Sequence, residues 1–392
     1  MKKYILLFIS ILVIYSQLTE SQPISNNFSQ KQTPHSTREC YLFIGSYALA
    51  DSNSIFVYRF NQETGSSKLV SAVKGIDNPS FVTLSPNDRY LYAVSETHGG
   101  VGGHVYAYRF DRSTGTLHYL DRQLSGGDDP CNLTTDRTGR WLFVANYTSG
   151  SFSEFPLEKD GRIDKALRTV QHHGHGINPL RQEGPHVHCV LIAPNNRDVF
   201  VSDLGLDELF TYELNQQNGN LTPGIPPYVS VVPGRGPRLP HFSPDGRFVY
   251  LIQEMGGTIT QFAYSPGKLK TLSTVSTIPP GYQKKYTAAD IHFSPGGHFL
   301  YASNRDDLND LLWYRVNAAN GTLTLGGRDS SMGKTPRYFR ITPNGKYVLV
   351  GHQNSDNIVI FSRNPHHGKL TLTPLRIPVA HAVCLKMIPD HG

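Results

Sequence analysis

Short apolar runs rich in Val, Ile, Phe and Tyr recur along most of the chain, separated by polar turns, and they come in a fixed order. The clearest instance is Gly184-Pro185-His186-Val187-His188-Cys189-Val190-Leu191-Ile192-Ala193-Pro194, which passes through Asn195-Asn196-Arg197 into Asp198-Val199-Phe200-Val201-Ser202-Asp203-Leu204. An apolar run with β-branched residues, a Pro-Asn-Asn turn and a second run alternating with polar residues predict two antiparallel strands joined tightly. Two histidines stand where the first strand begins.

The same frame predicts second strands at 41–44, 91–94, 142–145, 199–201, 249–252, 300–302 and 348–350. A third run follows each, at 55–58, 105–108, 152–155, 209–212, 259–262, 311–314 and 358–361. A Gly-containing turn and a more polar fourth strand close most units, as at 218–222 and 320–324. The turn between first and second strands has its second position at Pro86, Arg137, Pro194, Pro244, Pro295 and Pro343, a period of 48 to 57 residues. A four-stranded blade needs about ~50 residues, and radial repetition of such blades protects sheet edges. The expected fold is all-β, a seven-bladed β-propeller with four-stranded antiparallel blades. The unit begun at Cys40 has no first strand before it, whereas 380–390 reads as a first strand ending in the same Pro-Asp turn. That C-terminal strand is expected to join the N-terminal blade and close the ring. A parallel β-solenoid, the competing repeat, needs neither four strands per unit nor a permuted end.

Composition fits this picture: 38% of residues are hydrophobic, with 21 Tyr, 19 Phe and 36 Gly. The formal charge of +6 is modest and no run of Lys or Arg tracks a phosphate backbone, so no nucleic acid is expected as a partner. Met1-Lys2-Lys3, the apolar stretch 4–15 and the Thr19-Glu20-Ser21 site predict a signal peptide over 1–21. The stretch is too short for an ordinary membrane span, so no membrane association is expected after cleavage. Residues 22–39 read as a disordered lead-in, and 40–390 as the propeller domain of a secreted protein. The four cysteines, Cys40, Cys131, Cys189 and Cys384, allow three pairings, and none has metal-ligand spacing. Asn-x-Ser/Thr sequons occur at Asn27, Asn132, Asn146, Asn220 and Asn320. Asn220 and Asn320 fall on hairpin tips and predict a glycoprotein, whereas Asn132 and Asn146 fall on inner strands.

In a propeller the first strands line the axial channel, so their entrances converge. Counting six residues back from each turn position gives Ser80, Cys131, His188, Arg238, Ala289 and Arg337. The exits of the second strands, beside them in an antiparallel pair, hold Tyr47, Glu96, Tyr147, Leu204, Glu254, Arg305 and Gln353. The predicted mouth gathers Arg238, Arg305 and Arg337 with Glu254 and His188. Arginines without matching acids favour an anionic ligand, since guanidinium grips carboxylate or phosphate bidentately. Pairing of these arginines with Asp203, Asp290 or Asp306 is the structural alternative. A carboxylate among arginines becomes a weak base and a histidine there is held neutral, so His188 is the preferred proton carrier and Glu254 would hold an arginine or orient water, with the choice of which of the two transfers the proton left open. Arg238 and Arg305 would hold an anionic group or an oxyanion. His186 lines the mouth or packs. His172-His173-Gly174-His175 lacks the geometry of a metal site, and Asp290-Ile291-His292 reads as strand polarity that satisfies backbone groups. The glycines of 99–103 precede no helix and make no phosphate loop.

At these residues the chain resembles the seven-bladed propeller lactonases, the family of bacterial 6-phosphogluconolactonase and fungal carboxy-cis,cis-muconate cyclase. The resembling segments are 181–182 with 184–188, 236–238, 253–254, 288–292 with 303–305, and 336–337 with 353–355. The resemblance places the family's functional residues on His188, Arg238, Glu254 and Arg305, and adds Arg181 to a substrate-binding set with Arg337, His186 and Gln353. It implies hydrolysis or formation of a lactone without metal or cofactor. The family's sugar-phosphate lactone is cytosolic whereas the leader predicts export, so the expected partner is a small anionic lactone or carboxylate met outside the cell. Two alternatives accompany this hydrolase: a muconate-type lactonising cycloisomerase and a non-catalytic extracellular ligand-binding propeller.

Overall fold

A computed structural model describes residues 38–99 and 102–390. The predicted leader, most of the lead-in, sequon Asn27 and part of the glycine loop lie outside the described residues. Within them, twenty-eight strands form seven four-stranded antiparallel sheets. In six blades the four strands are consecutive in the chain and lie in spatial order. The seventh is composite: Ala382–Pro389 pairs with Glu39–Ser46, in register from Cys40 with Pro389 to Gly45 with Cys384. The ring is therefore closed by the C-terminal strand, with Asp390 N–H also donating to Glu39 O.

The second strands explain why their sequences are apolar on both faces. Each lies mid-sheet between two neighbouring blades, so alternate side chains enter different interfaces. In Glu39–Ser46, Leu42 and Ile44 pack with Leu349, Ile360 and Leu385 toward one neighbour. Tyr41 and Phe43 pack with Leu91, Ala93 and Tyr106 toward the other. The core is thus a set of inter-blade layers, and the fourth strands, with one face outward, are polar at alternate positions.

The turn that sets the repeat has a backbone reason. Its fourth position is left-handed in all six turns, with φ between 56° and 72° at Asp88, Gly139, Asn196, Gly246, Gly297 and Gly345. Only Gly, Asn and Asp enter that region without large cost, and those types fill it. Each fourth residue donates its N–H to the carbonyl of the first, as Gly246 does to Ser243 at 2.8 Å.

Asn132 and Asn146 are buried as expected, whereas Asn220 and Asn320 are exposed. All four cysteines are buried and free. Among the described residues no helix is long and apolar enough to cross a membrane.

Candidate functional site at the channel mouth

The first strands approach the axis with an irregularity that the repeat pattern conceals. Pairing with the second strand slips between Pro130 and Asn132, Val187 and Cys189, Pro237 and Leu239, and Pro336 and Tyr338. Cys131, His188, Arg238 and Arg337 are therefore bulge residues. A bulge frees a residue from the ladder and re-aims its side chain, which is how successive blades can all point a functional group at one axis. Ala289 lies in the equivalent slip between Ala288 and Ile291.

Glu254 is the hub of the mouth. Its Oε2 accepts from Arg238 Nε at 2.9 Å and Arg305 Nη2 at 2.8 Å, and its Oε1 accepts from Arg181 Nη2 at 2.7 Å. Its backbone is fixed on both sides, with its N–H donating to Gly236 O at 2.7 Å and its carbonyl accepting from Ala288 N–H at 2.9 Å. His188 Nε2 stands 3.9 Å from Oε2. Arg181 arrives from a loop anchored by buried Gln182, whose Nε2 donates to Leu204 O at 2.9 Å and Asp207 Oδ2 at 2.8 Å. Tyr147 connects these pieces: its hydroxyl accepts from Arg181 at 3.2 Å, and its ring stacks on His186 at 4.6 Å and meets His188 edge-on at 5.4 Å.

The expectation that the arginines lack acidic partners is corrected here. Three of the four converge on one carboxylate, because Glu254 sits where three blades' loops meet. None of them pairs with Asp203, Asp290 or Asp306. Asp203 holds His172 at 2.7 Å, Asp290 faces His292 at 3.0 Å, and Asp306 pairs with Lys285 at 3.3 Å. Arg337 is the exception: among the described residues it forms no ion pair, and its guanidinium lies 5.5 Å from the centre of the Tyr47 ring. The Tyr47 hydroxyl donates to Glu96 at 2.8 Å. Arg337, Arg238, His188, Cys131 and Ser80 line a recess of about 10 Å³, the room of roughly one water molecule.

The field of this cluster sets its protonation. Burial alone would raise the Glu254 carboxyl, but Arg305, Arg238, His188 and Arg181 outweigh it and hold the group well below the usual carboxylate range. Burial, reinforced by Arg238 and Arg337, holds His188 neutral, well below the ordinary imidazole value. Burial and two like-charged neighbours, Arg305 and Arg337, bring Arg238 down to about 10. The Cys131 thiol, 3.9 Å from His188 Nδ1, is driven far up by burial and stays protonated. The mouth therefore holds a committed anion, several cations and one neutral base.

His188, Glu254, Arg238, Arg305 and Arg181 are brought into one cluster, with Arg337 beside His188 in the recess. His186 flanks them: its Nδ1 is 3.2 Å from Tyr147 O and its Nε2 3.2 Å from Glu183. No hydrogen bond joins the Gln353 side chain to the cluster among the described residues. The Gln353 backbone carbonyl instead faces His381 Nδ1 at 2.6 Å. His172 is buried against Asp203 and Tyr212, and no group of metal-ligating side chains occurs among the described residues. Asp290 accepts the N–H groups of Ile291 and, across blades, Phe339, as its strand position suggested. Sequence reasoning placed Tyr147 at an exit but not its role in bracing both histidines and Arg181, which depends on ring packing between blades.

The sequence of 41–387 matches the family model described as Lactonase, 7-bladed beta-propeller. The 6-phosphogluconolactonase of Formosa agariphila is 36% identical over 352 residues, covering 88% of this chain and 99% of that protein. The 6-phosphogluconolactonase of Bacillus subtilis is 30% identical over 348 residues, covering 88% and 97% respectively. The structure of the periplasmic gluconolactonase of Pseudomonas aeruginosa superposes with a TM-score of 0.85 at 35% identity, over 89% of this chain and 99% of that one. With ring closure, blade count and this extent of match in agreement, the chain belongs to the seven-bladed β-propeller lactonase family.

Proposed function

We propose that this protein is a secreted hydrolase that opens a small anionic sugar or aliphatic lactone. The observation that carries the reading is the pairing of a neutral buried imidazole with a carboxylate already saturated by arginines. A carboxylate held by three guanidinium groups is a poor base, so the proton falls to His188. Water attacks the ring carbonyl and His188 Nε2 takes its proton. The resulting imidazolium then faces Glu254 Oε2 at 3.9 Å and gains from its charge. The carbonyl oxygen, becoming an oxyanion, is stabilised by the guanidinium groups, and collapse breaks the ring C–O bond as His188 returns the proton to the leaving alkoxide. The products are a hydroxyl and a carboxylic acid, which ionises to the carboxylate by releasing one proton to solvent.

Arg337, with no carboxylate paired to it, is the group left to meet the substrate's own negative charge. One such arginine suits a lactone with a single anionic substituent better than a dicarboxylate, which supports hydrolysis over cycloisomerisation. The recess beside His188 admits only about one water, so the lactone ring would sit above it in the open mouth. Export is supported by the leader pattern at 1–21 and by the periplasmic location in the name of the similar Pseudomonas aeruginosa protein. The exposed sequons Asn220 and Asn320 suit a glycosylated surface.

The test is turnover of a panel of anionic and neutral lactones by wild type and His188→Ala, with product analysis for ring opening against ring closure. Hydrolysis of an anionic lactone that falls by ~10²–10⁴ in the variant supports the reading. Equal rates in both proteins remove His188 from the mechanism, and binding without product favours a ligand-binding propeller.

A further inference from the structure

The axial channel carries a second ring of side chains below the mouth. Three residues beyond Ser80, Cys131, His188, Arg238, Ala289, Arg337 and Val383 lie Thr83, Thr134, Leu191, His241, His292, Arg340 and Lys386. All seven line one cavity of about 180 Å³. Three residues of strand are about ~10 Å, so the ring is a separate layer of the channel. Phe81, Asn132, Leu239 and Tyr338 line both this cavity and the recess above, and form the constriction between them.

The polar groups of this ring are not evenly spread. Arg340, Lys386, Thr83 and Thr134 come from four successive blades and make a continuous arc of donors, and the two histidines face them across the axis. Lys386 Nζ donates to the Tyr338 hydroxyl at 2.8 Å and lies 4.4 Å from the centre of the Phe81 ring. Among the described residues it forms no ion pair. The Arg340 guanidinium forms no ion pair and no hydrogen bond there, and its Nε is buried without a partner. Among the described residues no hydrogen bond engages the hydroxyls of Thr83 or Thr134. Asp290, the one acid lining the cavity among the described residues, is already committed: it accepts from Ile291 and Phe339 N–H at 2.9 and 3.0 Å and lies 3.0 Å from His292 Nε2. His241 spends its Nδ1 on the Phe242 carbonyl at 2.8 Å. Two half-buried cations against one saturated carboxylate leave the cavity with an excess positive charge and unfilled donors. Desolvation of such groups is costly unless an anion answers them.

We infer that the lower channel is a binding site for a small oxyanion, held by Arg340 and Lys386 with the hydroxyls of Thr83 and Thr134. Guanidinium and ammonium donors beside two hydroxyls match a compact anion with three or four oxygens, and the cavity volume suits one of that size. Burial, which lowers Lys386 from its ordinary value, would be relieved by the same ligand. The site is independent of the lactone reading, because none of its residues belongs to the Glu254 cluster.

The experiment is thermal unfolding of the full chain titrated with sodium phosphate, sulfate or acetate, each at ionic strength matched with sodium chloride. A saturable rise in Tm with phosphate or sulfate is expected, and a response to acetate alone would redefine the ligand as a carboxylate and overturn the assignment to an anion with three or four oxygens. Lys386→Met and Arg340→Met should each weaken the apparent affinity at least ~10-fold, while Arg305→Ala at the mouth should leave it within ~2-fold because the two sites share no residue. Thr83→Val and Thr134→Val keep both charges and serve if the charge variants fail to fold; each should weaken binding severalfold. Equal shifts in wild type and these variants, a response abolished by Arg305→Ala, or no saturable response to any anion would overturn the site. The Arg305→Ala result also separates this outcome from failure of the lactone reading, which is judged on turnover.

Discussion

Replacing Glu254 with Gln tests the organisation of the mouth at its centre. The substitution keeps the shape of the side chain but removes the charge that faces Arg238 at 2.9 Å, Arg305 at 2.8 Å and Arg181 at 2.7 Å. Arg181 is 39% exposed at its side chain and counts for little after solvent screening. Arg238 and Arg305, at 4% and 10%, are left as neighbouring buried cations without an acid. Removing one partner of a buried ion pair costs about ~3–5 kcal/mol. With an unfolding entropy of ~2.1 cal/mol/K per residue over roughly 350 residues, this lowers Tm by ~4–7 °C. The pH dependence adds a sign. Glu254 titrates lower in the folded protein than in the unfolded chain, so its stabilisation is present above the unfolded value near ~4.5 and is lost as pH falls through the depressed folded value. The gap between wild type and Glu254→Gln should therefore be widest at neutral pH and close in strong acid. Calorimetry or near-UV circular dichroism across pH 3–8 reads both quantities. A variant that melts within ~1 °C of wild type at neutral pH, with a parallel pH curve, would refute the view that this carboxylate holds the arginines together.

If His188 is the base and is held neutral well below its ordinary value, kcat/KM should stay level from pH 8 to below 6.5 and fall only in more acid solution; an acid limb at or above 6.5 would assign the base elsewhere. Arg337→Met should raise KM for an anionic lactone more than for a neutral one, because Arg337 has no carboxylate of its own to hold, and equal effects on both substrates would remove it from charge recognition. Deleting residues 379–392 strips Leu385 and Met387 from one inter-blade layer and Cys384 and Ile388 from the other. At ~1.5–3 kcal/mol each this approaches the whole stability of a domain, so the truncated chain should lose cooperative unfolding; a sharp transition like that of wild type would count against ring closure. The thiols of Cys131 and Cys189, buried and protonated, should react with a thiol reagent only after denaturation, and prompt labelling of the native protein would show the channel to be open.

The amino-acid sequence by itself determined the blade, its period and the closure of the ring. Those features are local: an apolar run matched to a mid-sheet strand, a turn whose fourth residue must be left-handed, and a first strand missing at one end and present at the other. It also determined which residue types face the axis, because a fixed offset from a fixed turn selects His188, Arg238 and Arg337. What those side chains do to one another was decided only in three dimensions. Glu254 binds Arg181, which lies 73 positions away, as directly as it binds Arg238, and no offset within a repeat distinguishes an arginine that meets the carboxylate from Arg337, which does not. The bulges that aim these residues inward are invisible in the hydrophobic pattern, since they leave the strand's composition unchanged and alter only its pairing. The donor arc of Arg340, Lys386, Thr83 and Thr134 is likewise drawn from both halves of the chain, and becomes a single charged wall only when the C-terminal strand completes the circle.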